Sequence, residues 1–256
     1  MRTVEKALRL LDLFDETRPS IGLSALARLA GLDKATVLRM LSDLATAGLV
    51  EQDPVSREWR LGAGLLRLAR RREAAFPVTG VLAPILARLS EETGETAHAS
   101  LRDGRDLGTV GVAESARTTR VHLDPGLVLP LHATASGLAY TAFARPEVLT
   151  DLLARDLSGM TDATPTNPAR LRALVDQTRA QGFATADQTM ERDVIGLALP
   201  IFGADGFAIG ALAVAAPATR VTDAHRIMVL SALTAATQEA TQALGGRIPT
   251  DFRIAA

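Results

Sequence analysis

LSALARLAGLDKATVLRMLSDLATAGLVEQDP, residues 23–54, carries two helix signatures and the opening of a hairpin in one short run. SALARLAG has the composition of a short helix, and Gly31 stops it. Asp33 then caps a second helix running from Lys34 to about Ala47, in which Val37, Leu41 and Leu44 form a buried stripe and Gly48 ends the pattern. On the amino-terminal side, Thr3 can cap an earlier helix whose apolar residues Val4, Ala7, Leu8, Leu11 and Phe14 follow helical spacing, ending before the RPS turn at 18–20. On the carboxy-terminal side the period changes. LVEQ and REWRL alternate around the turn DPVS, which predicts a β-hairpin with Trp59 and Leu61 inward and Glu58 and Arg60 outward. Two short helices joined by a tight turn and followed by a hairpin form a winged helix-turn-helix. Such a unit presents its later helix to a DNA major groove and its hairpin to the neighbouring backbone.

If Val37, Leu41 and Leu44 face inward, Lys34, Thr36, Leu38 and Arg39 lie on or near the outward surface of the first turns. Lys34 and Arg39 can pair with guanine edges or phosphates, Thr36 can hydrogen-bond either, and Leu38 can sit against a thymine methyl. The alternative is that these are ordinary solvated positions, with Leu38 simply more core. Ser56 and Arg57 at the hairpin tip, with Arg2 at the chain's start, are candidate phosphate contacts on the same reasoning.

The 256 residues, 47% of them hydrophobic, suit one large domain or a small domain joined to a larger one. Cysteine is absent, so neither disulfides nor thiolate metal sites are available. No stretch has the length of a membrane span, and the charged start is wrong for a secretory signal, so a soluble cytoplasmic protein is expected. The net charge of −1 hides an asymmetry: +3 up to Ala75 and −4 beyond it, a hint that the first part meets an anionic partner.

LLRLARRREAA at 65–75 predicts a connecting helix, and Pro77 marks a break before a long amphipathic helix from about Val78 to Thr93. The expected organisation is therefore a winged helix-turn-helix at 1–62, a connecting helix and linker at 63–77, and an α/β domain at 78–256. In the last, ETAHASL, DLGTVGVAE and TTRVHL alternate like strands. Helices follow at Ala135–Phe143, Pro146–Leu157 and Pro168–Gly182. IGLALPIF and FAIGALAVAA flank the turn GADG as a hairpin, and a helix capped by Thr222 runs to about Leu244.

The chain resembles the IclR family of bacterial transcription regulators over nearly its whole length. In the first domain the likeness rests on residues 23–54 followed by REWRLG. In the second it rests on LPLHATASGLAY at 129–140, QGFATADQTMERDVIGLALPIF and AIGALAVAAPATRVTD, in that order. The resemblance implies a homodimer, further pairing into a homotetramer being open, whose first domain binds an operator. Its second domain, with a curved, mainly antiparallel GAF/PAS-like sheet, would sense a small molecule, with no cofactor. It places the effector pocket between the Ala135 helix and the sheet, near Val121, Leu129, the loop carrying Asp187, Thr189, Glu191 and Asp193, and Ala213 and Ala215 of the late strand. Two departures stand out. Where relatives often have an acidic residue before the glycine-containing strand, this chain offers Gln188 or Thr189, with Glu191 displaced. Small polar side chains of the late strand are here alanines, which favours an effector with an apolar body.

Independently of the family, Thr134 can cap a helix whose free N–H groups belong to Ala135, Ser136 and Gly137, an arrangement that attracts a carboxylate. The alternative is that Thr134 only ends a loop and Gly137 permits tight packing. Catalysis finds little support. The histidines at 98, 122, 132 and 225 have no metal-ligand spacing, GxSxG and GxGxxG are absent, and the His132/Ser136 pair lacks an acidic partner. The remaining alternatives are an enzyme built on the second domain or a winged helix that binds another protein.

Overall fold

The structure is a computed structural model that describes residues 3–15 and 17–255; Arg2 lies outside them. The chain divides into two compact units, Met1–Pro77 and Val78–Ala256.

In the first unit, helix α1 (Thr3–Arg9) gives way to a 3-10 turn at Leu11–Leu13. Thr3 is thus the first helical residue, not a cap. Val4 and Leu8 stay exposed, Phe14 is buried as its spacing predicts, and Leu10 enters the core beside it. A short strand β1 (Ser20–Ile21) precedes helix α2 (Leu23–Ala30), which Gly31 ends in the left-handed conformation that glycine adopts without a Cβ penalty. Helix α3 (Lys34–Thr46) starts at Asp33, whose carboxylate accepts the Thr36 amide at 2.8 Å, and it buries Val37, Met40, Leu41 and Leu44. Strands β2 (Val50–Gln52) and β3 (Trp59–Leu61) form the hairpin, and β1 adds antiparallel to β3 as an unexpected third strand. Trp59 is buried, but Leu61, expected beside it, is 44% exposed. With strands this short, the inner face ends at Trp59. Helix α4 (Gly64–Ala75) completes the unit.

The second unit is one antiparallel sheet covered on both faces. After helix α5 (Val78–Thr93) come β4 (Thr96–Asp103), β5 (Asp106–Ala113), β6 (Val128–Leu129), α6 (Ala135–Phe143), α7 (Pro146–Leu153), α8 (Pro168–Gln181), β7 (Ala184–Asp187), β8 (Val194–Phe202), β9 (Ala208–Pro217) and α9 (Asp223–Ala243). The spatial order is β6-β5-β4-β9-β8-β7. Register shifts in the β4/β5 and β8/β9 pairs introduce bulges, which bend their strands. TTRVHL, expected as a strand, is not one. No strand among the described residues pairs with it, and the Val121 carbonyl is satisfied by the Thr96 hydroxyl at 2.6 Å. Strand β7 goes beyond the expected elements, and α7 stops at Leu153, short of Leu157.

The two faces of the sheet differ in side-chain size. Leu197, Leu199, Ile201, Leu212 and Val214 point toward α5 and α9, whereas Ala198, Ala211 and Ala213 point toward α6 and its neighbours. The small face lets α6 lie close. Gly137 shows how close: a Cβ there would stand 2.4 Å from the Leu131 Cα and carbonyl oxygen. One buried charge, Glu95 at the head of β4, accepts from Arg220 Nε at 2.7 Å and Nη2 at 2.6 Å, which satisfies both its oxygens.

Candidate functional site

Two sites emerge, one in each unit. On α3, Val37 and Leu41 turn inward and so leave Lys34, Leu38 and Arg39 exposed, with Thr36 half-buried beside the cap. Leu38 is 43% exposed, so it is not an extra core residue of its unit. Among the described residues neither Lys34 nor Arg39 has a carboxylate within salt-bridge reach. At the hairpin tip Asp53 accepts the Val55 and Ser56 amides at 2.9 and 2.7 Å, and Arg57 takes a left-handed backbone with φ 61°. That turn holds Ser56 and Arg57 outward, both exposed.

The second site is a cavity of about 80 Å³ between the start of α6 and the small-residue face of the sheet. Of the expected ligand residues, Val121, Leu129, Thr134, Ala135, Ser136, Glu191, Ala213 and Ala215 line it. Gly137, Asp187, Thr189 and Asp193 do not. The Gly137 amide is already bound to Thr134 Oγ1 at 3.0 Å, and its missing side chain makes room for Leu131. Thr189 donates to the Ala133 carbonyl at 2.7 Å and so anchors its loop to the segment before α6. Asp187 and Asp193 are exposed at the loop's two ends, where the Asp193 amide donates to the Gln188 side chain at 3.1 Å. The Ala135 and Ser136 amides have no acceptor among the described residues, so two of the three expected donors remain.

The principal feature beyond these expectations is His98. In β4 the residues Thr96, His98 and Ser100 alternate with Ala97, Ala99 and Leu101, a pattern that in a one-sided sheet would put the polar set in water. Here both faces are covered, so the polar set is buried, with His98 only 7% exposed on the cavity wall. Its Nε2 lies 3.2 Å from the Ser136 hydroxyl, and its Nδ1 has no partner among the described residues. Burial holds the imidazole pKa down to about 4. The histidine once paired with Ser136 by sequence, His132, instead faces the Ser158 carbonyl at 2.9 Å. A Ser–His pair without a third group to orient the imidazole lacks the arrangement of a nucleophilic triad.

The depressed pKa has a consequence for stability. Between about pH 6.5 and 4 the unfolded chain binds a proton at His98 that the folded chain refuses, so His98 makes folding less favourable as pH falls through that window. The slope reaches about 1.4 kcal/mol per pH unit. Urea denaturation at pH 7 and pH 5 should show a smaller pH difference for His98→Gln than for the wild type; equal differences would show that His98 is not buried neutral.

Comparison with known proteins finds a match for each unit. A family model described as the IclR helix-turn-helix domain matches residues 3–54, and one described as the bacterial transcriptional regulator IclR C-terminal domain matches residues 74–242. The chain is 32% identical to the HTH-type transcriptional regulator BhcR of Paracoccus denitrificans over 95% of this chain and 86% of that one. A crystal structure of an IclR transcriptional regulator from Silicibacter sp. TM1040 is 43% identical, with TM-score 0.90 over 98% of this chain and 100% of that one. The fold is also that of an IclR homolog from Microbacterium hydrocarbonoxydans complexed with 4-hydroxybenzoate, at 24% identity and TM-score 0.79 over 95% and 99% of the two chains. The exposed α3 on a winged helix-turn-helix, the pocket on a two-faced antiparallel sheet and these matches together make this chain a member of the IclR family of transcriptional regulators.

Proposed function

We propose that this regulator reads its operator with Lys34, Thr36, Leu38 and Arg39 of α3, and that Ser56 and Arg57 hold the wing on the phosphate backbone. The observation that carries this reading is the exposed face of the first two turns of α3, whose cations have no carboxylate partner among the described residues. The protein acts as a homodimer in the cytoplasm, its two recognition helices spaced to meet a near-palindromic site. Its second unit is a sensor and not an enzyme. The effector is a carboxylate with an apolar body, held by the Ala135 and Ser136 amides against Val121, Leu129, Ala213 and Ala215. A cavity of about 80 Å³ takes a short acid as it stands. A cavity of about 150 Å³ is known to hold benzene, so an aromatic body requires the 188–193 loop to move outward.

The test is fluorescence anisotropy with the DNA upstream of the gene, run across a salt series. Affinity should fall steeply and linearly in log–log form, and Arg57→Ala should reduce the slope by about one while weakening all sequences alike. Binding that ignores salt would instead favour a protein partner for the winged helix. No described helix is long and apolar enough to cross a membrane.

A further inference from the structure

The pocket has the wrong inventory for holding an anion unaided. Among the described residues no lysine or arginine lines it, and the one charged side chain is the carboxylate of Glu191 on the 188–193 loop. The groups around His98 are otherwise neutral: Ser136 from α6, Val112 and Ala213 as its strand partners, and Val121 and Leu123 from the segment after β5. The start of α6 contributes roughly half a positive charge through two free amides, less than the unit charge of a carboxylate. A buried carboxylate left without a counter-charge is strongly disfavoured. One group in the wall can become a cation, and that group sits in hydrogen-bond contact with Ser136 at the helix start, with its second ring nitrogen unpartnered.

We propose that the pocket takes up its carboxylate effector together with one proton, which comes to rest on His98, so that ligand and imidazolium form a neutral buried pair. This rests on the carboxylate reading of the pocket given above. Burial alone acts on His98 and keeps it neutral. The arriving carboxylate supplies the opposite charge that reverses this. The chemistry balances simply: the anion and H⁺ enter from solvent, and no bond other than N–H is formed. Effector strength then depends on pH, weakening by up to tenfold per pH unit as pH rises, because each binding event must draw a proton from a more dilute supply.

Isothermal calorimetry on the full-length protein at pH 7.5 tests this with pyruvate, 3-methyl-2-oxobutanoate, benzoate and 4-hydroxybenzoate as probes, each in buffers of different ionisation enthalpy. The expected result is uptake of about one proton per ligand bound, lost in His98→Gln and kept in Glu191→Gln. In parallel, nitrogen-resolved NMR of histidine-labelled wild type should show one buried imidazole passing from neutral to doubly protonated on saturation, which needs no variant to fold. Binding without proton uptake would overturn the proposal while leaving the carboxylate pocket intact. Uptake that persists in His98→Gln would overturn it by placing the proton elsewhere. If none of the four acids binds, the carboxylate reading itself fails, and the proposal with it.

Discussion

Replacing Lys34 and Arg39 together with alanine lowers operator affinity by between about thirtyfold and about twenty-thousandfold, with the thermal midpoint essentially unchanged. Each good contact to a base edge contributes about 1–3 kcal/mol of discrimination, and 1.4 kcal/mol is tenfold. Both side chains are exposed, no ion pair among the described residues holds them, and alanine is the best helix former, so folding has little to lose. Titrating the upstream DNA against the double variant, beside a scrambled duplex of the same length, separates the two components of binding. Specific affinity should collapse toward the nonspecific level, which itself declines less. If the double variant still prefers the native sequence by the original ratio, α3 does not read bases.

Gly137→Ala should destabilise the second unit by about 3 kcal/mol or more, because the added methyl meets the Leu131 backbone at 2.4 Å and backbone has no rotamer into which to retreat. For a unit of this size that lowers its calorimetric midpoint by roughly 6–12 °C. The displacement acts where it matters most: the Gly137 amide is the one Thr134 caps, so the start of α6 moves with it and ligand affinity drops as well. Differential scanning calorimetry with ligand titration checks both effects. A midpoint within about 2 °C of wild type would mean that α6 can back away from Leu131 at no cost, contrary to its packing against the sheet.

Legibility in the sequence followed the range over which each decision is made. The cap of Asp33, the stripe of Val37, Leu41 and Leu44 and the stop at Gly31 are settled within a turn or two of helix, and the structure has them where spacing puts them. Strand pairing is settled at a distance. TTRVHL alternates as well as any strand, but no strand among the described residues pairs with it, and β7 is a strand only because the edge of β8 is open to it. The pocket divides in the same way. Thr134, Ala135 and Ser136 follow from a local cap, whereas His98 depends on knowing that both faces of the sheet are covered. The signal was present in ETAHASL as three polar residues on one face. It could not be weighed without the helix that buries them.

The unequal faces of the sheet bear on how such a receptor changes its allegiance over time. The wall that Gly196, Ala186, Ala213 and Ala215 give to the pocket is made of backbone and single methyls, while the leucines and valines that hold the strands together look the other way. One nucleotide change can therefore add a hydroxyl or a branch to that wall, while the leucine and valine core and the winged unit keep their sequences.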